Sequence, residues 1–494
     1  MKEKQSFLEA EKVTFCYFEK AKRNILENAA IQVKNGGITV LIGNSGCGKS
    51  TLSVVLAGLY PENGGFLKSG RIVLEGKELK EHAPAERTAS LSLMFQNPDL
   101  QFCMDTLRKE MRFCLENISV PKEEMDDRIE YWAQKLHMES MLDRKLYTLS
   151  GGEKQKAALA CLFLLESRGV LLDEPFANLD EDSARGIIEM LVKIQKERGL
   201  TVIAIDHRLD LWLDAADEIL VLGEGGRILE RGIRKENLPD YRKLFSEQGL
   251  SYPEPAIRKE PSPQNARPAL VLKDTSVKPW ILEAQASFPM GKVTALLGSS
   301  GAGKTTLFQV LLKQKPYEGS ICFDFGEGLQ ELSGMKKKEL FANLGIVFQN
   351  PGNQFLTSNV REEVAVSIRR WSPKLSEEEM DRRVLNSLTD YGLEHYRKYS
   401  PYMLSQGQQR RLAVLAVLSG RQKVLLLDEP TYGQDDRSTR AIMQQLMKKV
   451  EEEGLTVIFT THDEKLALRY ADKIYRLRNQ RLTEDKGEGY HEKP

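Results

Sequence analysis

The chain has 494 residues, of which 29% are charged and 41% are apolar, a balance typical of a globular protein with about two to four domains. Lysine plus arginine equals aspartate plus glutamate at 71 each, so the overall charge does not indicate nucleic acid as a partner. The six cysteines form no CxxC pair, no signal peptide is visible, and no stretch approaches about 18 consecutive apolar residues. We therefore expect reduced cytosolic thiols and no membrane-spanning segment.

The first motif is a glycine-rich loop. Residues 43–50 read G-N-S-G-C-G-K-S, which matches G-x-x-x-x-G-K-[ST], and they lie between a predicted apolar strand and a predicted helix. In this context backbone N–H groups face phosphate oxygens, Lys49 reaches the β- and γ-phosphates, and Ser50 can hold Mg²⁺. We therefore expect ATP to contact Gly43, Asn44, Ser45, Gly46, Cys47, Gly48, Lys49, Ser50 and Thr51.

The same motif occurs a second time. The loop lysines are 304 − 49 = 255 residues apart, and four further landmarks repeat in the same order at offsets of 253 to 255. Five landmarks in one register indicate a tandem duplication of one domain. The second set of predicted ATP contacts is Gly298, Ser299, Ser300, Gly301, Ala302, Gly303, Lys304, Thr305 and Thr306.

Each copy predicts the same order of elements. Strands near 12–18 and 30–35 precede the phosphate loop, a polar helical region covers roughly 105–145 or 360–400, and further helices and strands alternate after it. Strands alternating with helices predict an α/β fold with a mainly parallel sheet and a helical insertion. The predicted domains are 1–236 and 269–486, with a proline-rich, largely extended linker at 237–268 and a tail at 487–494. Within the linker, residues 241–245 are expected to form a helical turn.

Two carboxylates end an apolar strand in each copy. Asp173-Glu174 follows Val170–Leu172, and Asp428-Glu429 follows the matching run. The aspartates can bind Mg²⁺ through water, and the glutamates can orient or deprotonate the attacking water. Carboxylates capping a solvated strand edge are the structural alternative, and the pairing with a phosphate loop in both copies favours the catalytic interpretation.

Other candidates carry weaker signals. His207 and His462 follow apolar strands at a set distance after the carboxylate pairs, where they can contact a γ-phosphate. The amides of Gln96 and Gln349 can touch Mg²⁺ or the attacking water, although a plain loop role is comparable on chemistry alone. Tyr17 can stack on adenine or serve as a core aromatic. Ser150, Gly151 and Gly152, with Ser405 and Gly407 in the second copy, begin helices whose N-termini can bind an anion or are simply capped.

Together these motifs resemble the ATP-binding cassette (ABC) family. The set comprises the phosphate loop, the Gln loop, Leu149-Ser150-Gly151-Gly152, the Asp-Glu strand, Asn178-Leu179-Asp180 and the histidine, and two copies cover nearly the whole chain. The resemblance implies two P-loop ATPase domains, each with a mainly parallel core, an antiparallel β subdomain and a helical subdomain. It also implies that the cassettes pack head to tail, so that ATP with Mg²⁺ lies between the loop of one and the Ser-Gly signature of the other.

A finer resemblance concerns the segment after the Gln loop. Residues 95–102 and 348–355 share F-Q-N-P-x-x-Q-F, and Thr431–Asp435 follows the second carboxylate pair. Both are similar to the energy-coupling ATPases of ECF-type importers of vitamins, vitamin precursors and transition-metal ions. This implies a peripheral protein at the cytoplasmic face of the cell membrane, bound to transmembrane and substrate-binding subunits and to no nucleic acid. The alternatives are a soluble tandem cassette acting on ribosomes and the ATPase of another ABC transporter class.

The two copies depart from the family pattern at different places. The second signature has Gln406 where the pattern has glycine, and it is expected to serve the first phosphate loop. The first signature has Glu153 in place of glutamine. The second copy lacks an obvious counterpart of Tyr17, for which Trp280 is a weak substitute. We therefore expect unequal sites, with the second site supporting more of the turnover.

Overall fold

The computed structural model describes residues 6–21, 23–44, 46–177, 179, 181–253, 258–259, 266–299, 301–431 and 436–485, with backbone alone at 182, 406, 436 and 437. The chain divides into two compact units with the boundary after Pro253. Ser45, Asn178, Asp180, Ser300 and 432–435, which the sequence analysis named, lie outside the described residues.

The first unit builds its strands and helices in alternation. Its described strands are β1 (Ser6–Cys16), β2 (Leu26–Lys34), β3 (Ile38–Gly43), β4 (Phe66–Leu74), β5 (Lys77–Glu78), β6 (Leu91–Met94), β7 (Gly169–Asp173), β8 (Thr201–Ile205), β9 (Glu218–Leu222) and β10 (Ile228–Ile233). Its described helices are α1 (Lys49–Leu56), α2 (Pro84–Ser90), α3 (Leu107–Asn117), α4 (Lys122–Lys135), α5 (Gly151–Leu164), α6 (Glu181–Arg198), α7 (Leu209–Trp212) and α8 (Arg242–Glu247).

Two sheets form the framework of the first unit. One has the order β10-β9-β3-β8-β7-β6, with all neighbours parallel except β10 against β9, and the other is an antiparallel sheet of order β2-β1-β4-β5. Strands β3, β7 and β8 are buried along their whole length, as parallel strands covered on both faces require. The first two strands begin earlier than predicted, because β1 pairs on both sides from its start and buries alternate side chains such as Leu8 and Ala10.

The second unit repeats this plan. Its described strands are β11 (Pro268–Val277), β12 (Ile281–Pro289), β13 (Val293–Leu297), β14 (Glu318–Asp324), β15 (Leu329–Glu331), β16 (Leu344–Val347), β17 (Val424–Asp428), β18 (Thr456–Thr461), β19 (Lys473–Arg478) and β20 (Arg481–Glu484). Its described helices are α9 (Lys304–Leu311), α10 (Lys337–Asn343), α11 (Val360–Trp371), α12 (Glu377–Asp390), α13 (Gln406–Leu418), α14 (Asp436–Glu453) and α15 (Glu464–Tyr470). A parallel pairing of β12 with β20 joins the antiparallel and parallel parts into one sheet.

A helical subdomain is inserted between the central strands of each unit. In the first unit α3, α4 and α5 pack together around Met111, Ile129 and Trp132, and in the second unit α11, α12 and α13 do the same. The predicted α/β class, with its parallel core, antiparallel β part and helical insertion, is therefore confirmed in both units.

The first unit ends with a short helical segment. A 3-10 turn at Leu238–Tyr241 leads into α8, whose Phe245 is fully buried in the same apolar cluster as Trp212. The side-chain amide of Asn44 donates a hydrogen bond to the carbonyl of Gln248, so this segment also touches the first phosphate loop. The start of the predicted linker thus packs on the first unit, and the precise domain bounds stay a prediction.

Candidate functional site

The first phosphate loop wraps around its own lysine. Buried Lys49 opens α1, and its Nζ donates to the carbonyls of Gly43 at 2.6 Å and Asn44 at 2.9 Å. Gly48 has a φ of 103°, a left-handed conformation that favours glycine. The loop therefore brings an ammonium group and the N-terminus of a helix to the carboxyl end of β3, a combination suited to phosphate.

The second loop has the same form with one added contact. Lys304 Nζ donates to the carbonyls of Gly298 and Ser299, and it also lies 3.3 Å from Glu429 Oε1. Gly303 has a φ of 106°, matching Gly48. In this unit one ammonium group therefore links the phosphate loop to the carboxylate pair.

The aspartates at the ends of β7 and β17 have different partners. Asp173 Oδ2 accepts from Ser53 Oγ at 3.3 Å, whereas Asp173 Oδ1 is buried without a hydrogen-bond partner among the described residues. Asp428 accepts from the hydroxyls of both Thr305 at 2.8 Å and Thr460 at 2.7 Å. Asp428 is therefore the better satisfied carboxyl group.

Strand pairing explains this difference. Asp428 lies opposite Thr460 in the β17–β18 ladder, and Asp173 lies opposite Ile205 in the β7–β8 ladder. Ile205 has no hydroxyl to offer. Burial, and then the neighbouring charge of Glu174, raise the pKa of Asp173 to about 6. Burial also raises the pKa of Asp428, against the opposing effect of its two hydroxyl partners.

The two glutamates share a backbone conformation but not their contacts. Glu174 and Glu429 have φ values of 47° and 50°, a left-handed geometry that non-glycine residues adopt mainly at constrained sites. Glu174 Oε2 accepts from the amide of Gln96 at 2.8 Å, and Glu174 Oε1 lies 3.9 Å from His207 Nδ1. The predicted Gln96, Glu174 and His207 are thus brought together in the first unit.

Glu429 lies between two basic groups. Its Oε2 lies 3.1 Å from His462 Nδ1 and its Oε1 contacts Lys304. Burial raises the pKa of Glu429, but the hydrogen bond and charge of His462 and the charge of Lys304 outweigh burial and hold that pKa below its usual value. Gln349 is exposed and joins this site through its carbonyl, which accepts from Arg410 at 2.6 Å.

Both signature helices begin with a reciprocal cap. Ser150 Oγ accepts from the N–H of Glu153, and the Glu153 carboxylate accepts from the N–H of Ser150 at 2.7 Å. Ser405 and Gln408 form the same pair at the start of α13. Glu153, which departs from the family pattern, therefore serves as a cap and also accepts from Arg144 at 2.7 Å. The side chain of Gln406 is outside the described part of the chain.

The aromatic groups beside the two phosphate loops differ. Tyr17 is 42% exposed, and its hydroxyl shares a hydrogen bond of 2.8 Å with Thr51 Oγ1. Trp280 is 37% exposed and lies against the second loop. A Cβ atom added at Gly303 would lie 3.0 Å from the Cβ atom of Trp280. The Lys315 ammonium lies 4.2 Å from the centre of the Trp280 ring. Trp280 therefore lies beside the second phosphate loop at the place that Ile25 takes beside Gly48 in the first unit, and its role as a weak substitute for Tyr17 stays a prediction.

Sequence reasoning missed three polar partners. These are Ser53 at Asp173, Thr460 at Asp428 and Arg410 beneath the second Gln loop. The repeat contained a signal for two of them. At an offset of 255 residues, Thr460 corresponds to Ile205 and Arg410 corresponds to Gln155, so the two copies differ at both positions. A comparison of the two copies at non-motif positions would have marked both differences.

The comparisons with known proteins show the family to which these motifs belong. Residues 26–177 and 282–432 match the family model described as ABC transporter. The putative HMP/thiamine import ATP-binding protein YkoD of Bacillus subtilis is 34% identical, over 97% of this chain and 91% of its own. A putative ABC transporter ATP-binding protein of Clostridium perfringens is 31% identical, over 98% and 91%. Among solved structures, the archaeal ribosome recycling factor aABCE1 in complex with the stalk protein aP1 matches 94% of this chain and 87% of its own, with a TM-score of 0.66. The sequences are 19% identical, so this match shows a similar fold.

The chain belongs to the ABC transporter family. It carries two ATP-binding cassettes in tandem and is an ATPase, as the motifs predicted. Among the helices of the described residues, we find none with the length and hydrophobicity needed to span a bilayer.

Proposed function

We propose that this chain is the ATP-hydrolysing motor of an ECF-type membrane importer. It works at the cytoplasmic face of the membrane with transmembrane subunits and a substrate-binding membrane subunit. Its two F-Q-N-P-x-x-Q-F segments support this assignment, and so does its similarity to a relative named for HMP/thiamine import. Among vitamins, vitamin precursors and transition-metal ions, that relative favours the first two as cargo.

The observation that carries the proposal is an exposed apolar surface beside each Gln loop. We call it the coupling surface, and it comprises Leu100 and Tyr147 in the first unit and Leu356, Tyr402 and Met403 in the second. Tyr147 and Tyr402 are equivalent by the repeat offset and are 77% and 61% exposed. Large apolar side chains kept on the surface of both copies, with the two tyrosines at equivalent positions, are typical of a docking site for another protein.

Buried carboxylates fix the loop that follows each Gln motif, and in the second unit this loop carries Leu356 of the coupling surface. Glu363 accepts hydrogen bonds from the N–H groups of Leu356 at 3.0 Å and Thr357 at 2.9 Å. Glu110 accepts from Cys103 and Met104 in the equivalent loop of the first unit, at 2.8 and 2.7 Å. These bonds tie the loop after the Gln motif to the first helix of the helical subdomain, so a movement of that subdomain would carry the docking surface with it.

Purification in mild detergent tests the proposal. The full chain is expected to retain membrane proteins. The double variant Leu356→Asp/Tyr402→Asp is expected to lose them, because it would bury two charges in an apolar interface. Leu282→Asp, at a residue 54% exposed on β12 and away from the Gln loop, is the matched control. Retention of ribosomes instead of membrane proteins, or equal retention by both variants, would contradict the assignment.

The same proposal assigns the predicted residues to two composite ATP sites. Site one joins Lys49, Ser50, Gln96, Asp173, Glu174 and His207 with Ser405 and Gly407, and site two joins Lys304, Thr305, Gln349, Asp428, Glu429 and His462 with Ser150, Gly151 and Gly152. The partnerless Asp173 Oδ1 fits a cation, because a buried carboxylate oxygen without a donor requires compensation. Mg²⁺ bound there would neutralise charge at the β/γ bridge of ATP.

The side chains then divide the work of hydrolysis. The lysines and loop N–H groups bind the phosphates, and Tyr17 supports adenine on the first unit. Glu174 and Glu429 orient the attacking water and accept its proton, with His207 and His462 beside them at 3.9 and 3.1 Å. Closure of the two cassettes on ATP and their reopening after hydrolysis would supply the motion that the coupling surface transmits.

The proposal predicts unequal sites. Gln406 places a side chain in the signature that serves site one, whereas site two has a regular Ser-Gly-Gly signature. Glu429→Gln should therefore lower steady-state ATPase more than Glu174→Gln does. The two variants are matched in chemistry and in backbone conformation, and the reverse ranking would refute the asymmetry.

A further inference from the structure

A buried arginine lies beneath the second Gln loop. Arg410 projects from α13 and is 4% exposed. Its Nη1 donates to the carbonyl of Glu429 at 3.0 Å and contacts that of Phe348 at 3.5 Å, and its Nη2 donates to the carbonyl of Gln349 at 2.6 Å. One guanidinium therefore joins the signature helix, the Gln loop and the backbone of the proposed catalytic glutamate.

The first unit has a neutral amide in this place. Gln155 is fully buried on α5, and its Nε2 donates to the carbonyl of Glu174 at 2.9 Å. A guanidinium has five N–H donors in a rigid fork, whereas an amide has two. The second unit thus adds charged donors under the Gln loop while keeping the bond to the glutamate carbonyl.

A second side chain also joins the Gln loop to the signature helix, and this one belongs to the loop. Gln354, the last glutamine of F-Q-N-P-x-x-Q-F, accepts from the N–H of Phe348 at 3.1 Å and donates to the carbonyl of Ala413 on α13 at 3.1 Å. In the first unit the equivalent Gln101 has its Oε1 buried without a partner among the described residues. The second Gln loop is therefore held to its signature helix by two independent side chains.

We infer that Arg410 is a positioning residue for the second ATP site, holding the backbone of Gln349 and Glu429 so that both side chains reach the nucleotide together. The inference rests on the site assignments under the proposed function and extends them to a residue outside the family motifs. Because Arg410 also belongs to α13, it makes the Gln loop and the signature helix of this unit move as one body. Misplacement of reacting groups by about 1 Å lowers the rate by up to about a hundredfold. We therefore expect the loss of Arg410 to lower kcat.

Three variants of the full chain test the inference. Arg410→Gln supplies the amide found in the first unit, Arg410→Lys keeps the charge without the fork, and Gln354→Ala removes the second connection without burying or removing a charge. Steady-state kcat, KM for ATP and the Mg²⁺ concentration for half-maximal rate are measured, with the urea midpoint of unfolding and the binding of a fluorescent ATP analogue. Glu429→Gln is the reference for loss of the second site.

Glu429→Gln is expected to lower kcat by a certain amount, and we expect Arg410→Gln to lower kcat by about nine-tenths of that amount. The affinity for nucleotide and the urea midpoint should stay unchanged. Arg410→Lys should recover part of that rate, and Gln354→Ala should lower kcat in the same direction. An unchanged kcat for Arg410→Gln, when Glu429→Gln does lower kcat, would overturn this inference alone. A loss of ATP affinity and of the urea midpoint in parallel with kcat would also overturn it. If Glu429→Gln itself keeps full activity, the proposed assignment of site two fails instead.

Discussion

Replacing Asp173 by asparagine should stabilise the first unit while it abolishes the proposed Mg²⁺ contact. The Asp173 carboxyl group is buried at the end of β7, its Oδ1 has no partner among the described residues, and its pKa is raised to about 6. Asparagine has nearly the same shape and no charge. The variant therefore removes a buried carboxylate that the metal-free protein compensates poorly.

The shifted pKa sets the size of this effect. The pKa of Asp173 rises from 3.8 to about 6, and about 2.2 units at 1.36 kcal/mol each correspond to about 3 kcal/mol. The folded state holds the proton more tightly than the unfolded chain, so stability is greatest at low pH and falls as pH rises from 3.8 to about 6. The advantage of Asp173→Asn should be about 3 kcal/mol at pH 7 to 8 and about half of that at pH 5.

Calorimetry of the full chain without Mg²⁺ or nucleotide measures this difference, with the transition of the first unit as the readout. Asp428→Asn is the matched control, and it should gain less because Thr305 and Thr460 already donate to that carboxylate. Adding Mg²⁺ and ATP should stabilise the unchanged protein more than the variant. A first-unit transition in Asp173→Asn that is unshifted at pH 7.5, or shifted equally at pH 5, would refute the reasoning.

Three further changes have defined outcomes. Phe245→Ala should destabilise the first unit by about 3–5 kcal/mol in urea unfolding, because the ring is fully buried; an unchanged midpoint would mean that α8 does not pack on that unit. Tyr17→Ala should raise KM for ATP about five- to a hundredfold with little change in kcat, as loss of base stacking requires, and Trp280→Ala should do so less because Lys315 already covers its ring. Maleimide should modify exposed Cys103 well before Cys47, whose thiol is buried with a raised pKa, as mass spectrometry of the peptides would show; equal rates would contradict the burial.

The fold was predictable because its signals are local and occur twice. Short β-branched runs before Gly43 and Gly298 indicated parallel strands, and the capped helices at Ser150 and Ser405 began where the sequence placed them. The segment after residue 237 was harder to predict. Its prolines and charges indicate a largely extended linker with one helical turn at 241–245. The structure forms α8 there, with Phe245 buried in the same apolar cluster as Trp212.

The motifs named residues that lie close together in each unit, but not the contacts that those residues make. Motif spacing identified Asp173 and Asp428 equally, yet their partners depend on which residue lies opposite in the next strand, and that is Ile205 in one unit and Thr460 in the other. Strand register is a property of the folded sheet, so a reading of each motif by itself does not contain it. Arg410 was missed because it contacts backbone carbonyls, which belong to no motif, and only a comparison with Gln155 at the repeat offset marks its position.

These contacts make the two copies chemically unequal even where their motifs agree. Glu174 is held by the neutral amide of Gln96, whereas Glu429 contacts the ammonium of Lys304. An amide leaves the charge of a carboxylate unchanged, but Lys304 also belongs to the phosphate loop, so phosphate and Glu429 compete for the same ammonium group. Phosphate arriving at the second loop would thus weaken a bond to the glutamate, whereas no such exchange links Lys49 to Glu174 in the described contacts. We therefore trace the proposed difference between the sites to the contacts around the motifs as well as to Gln406.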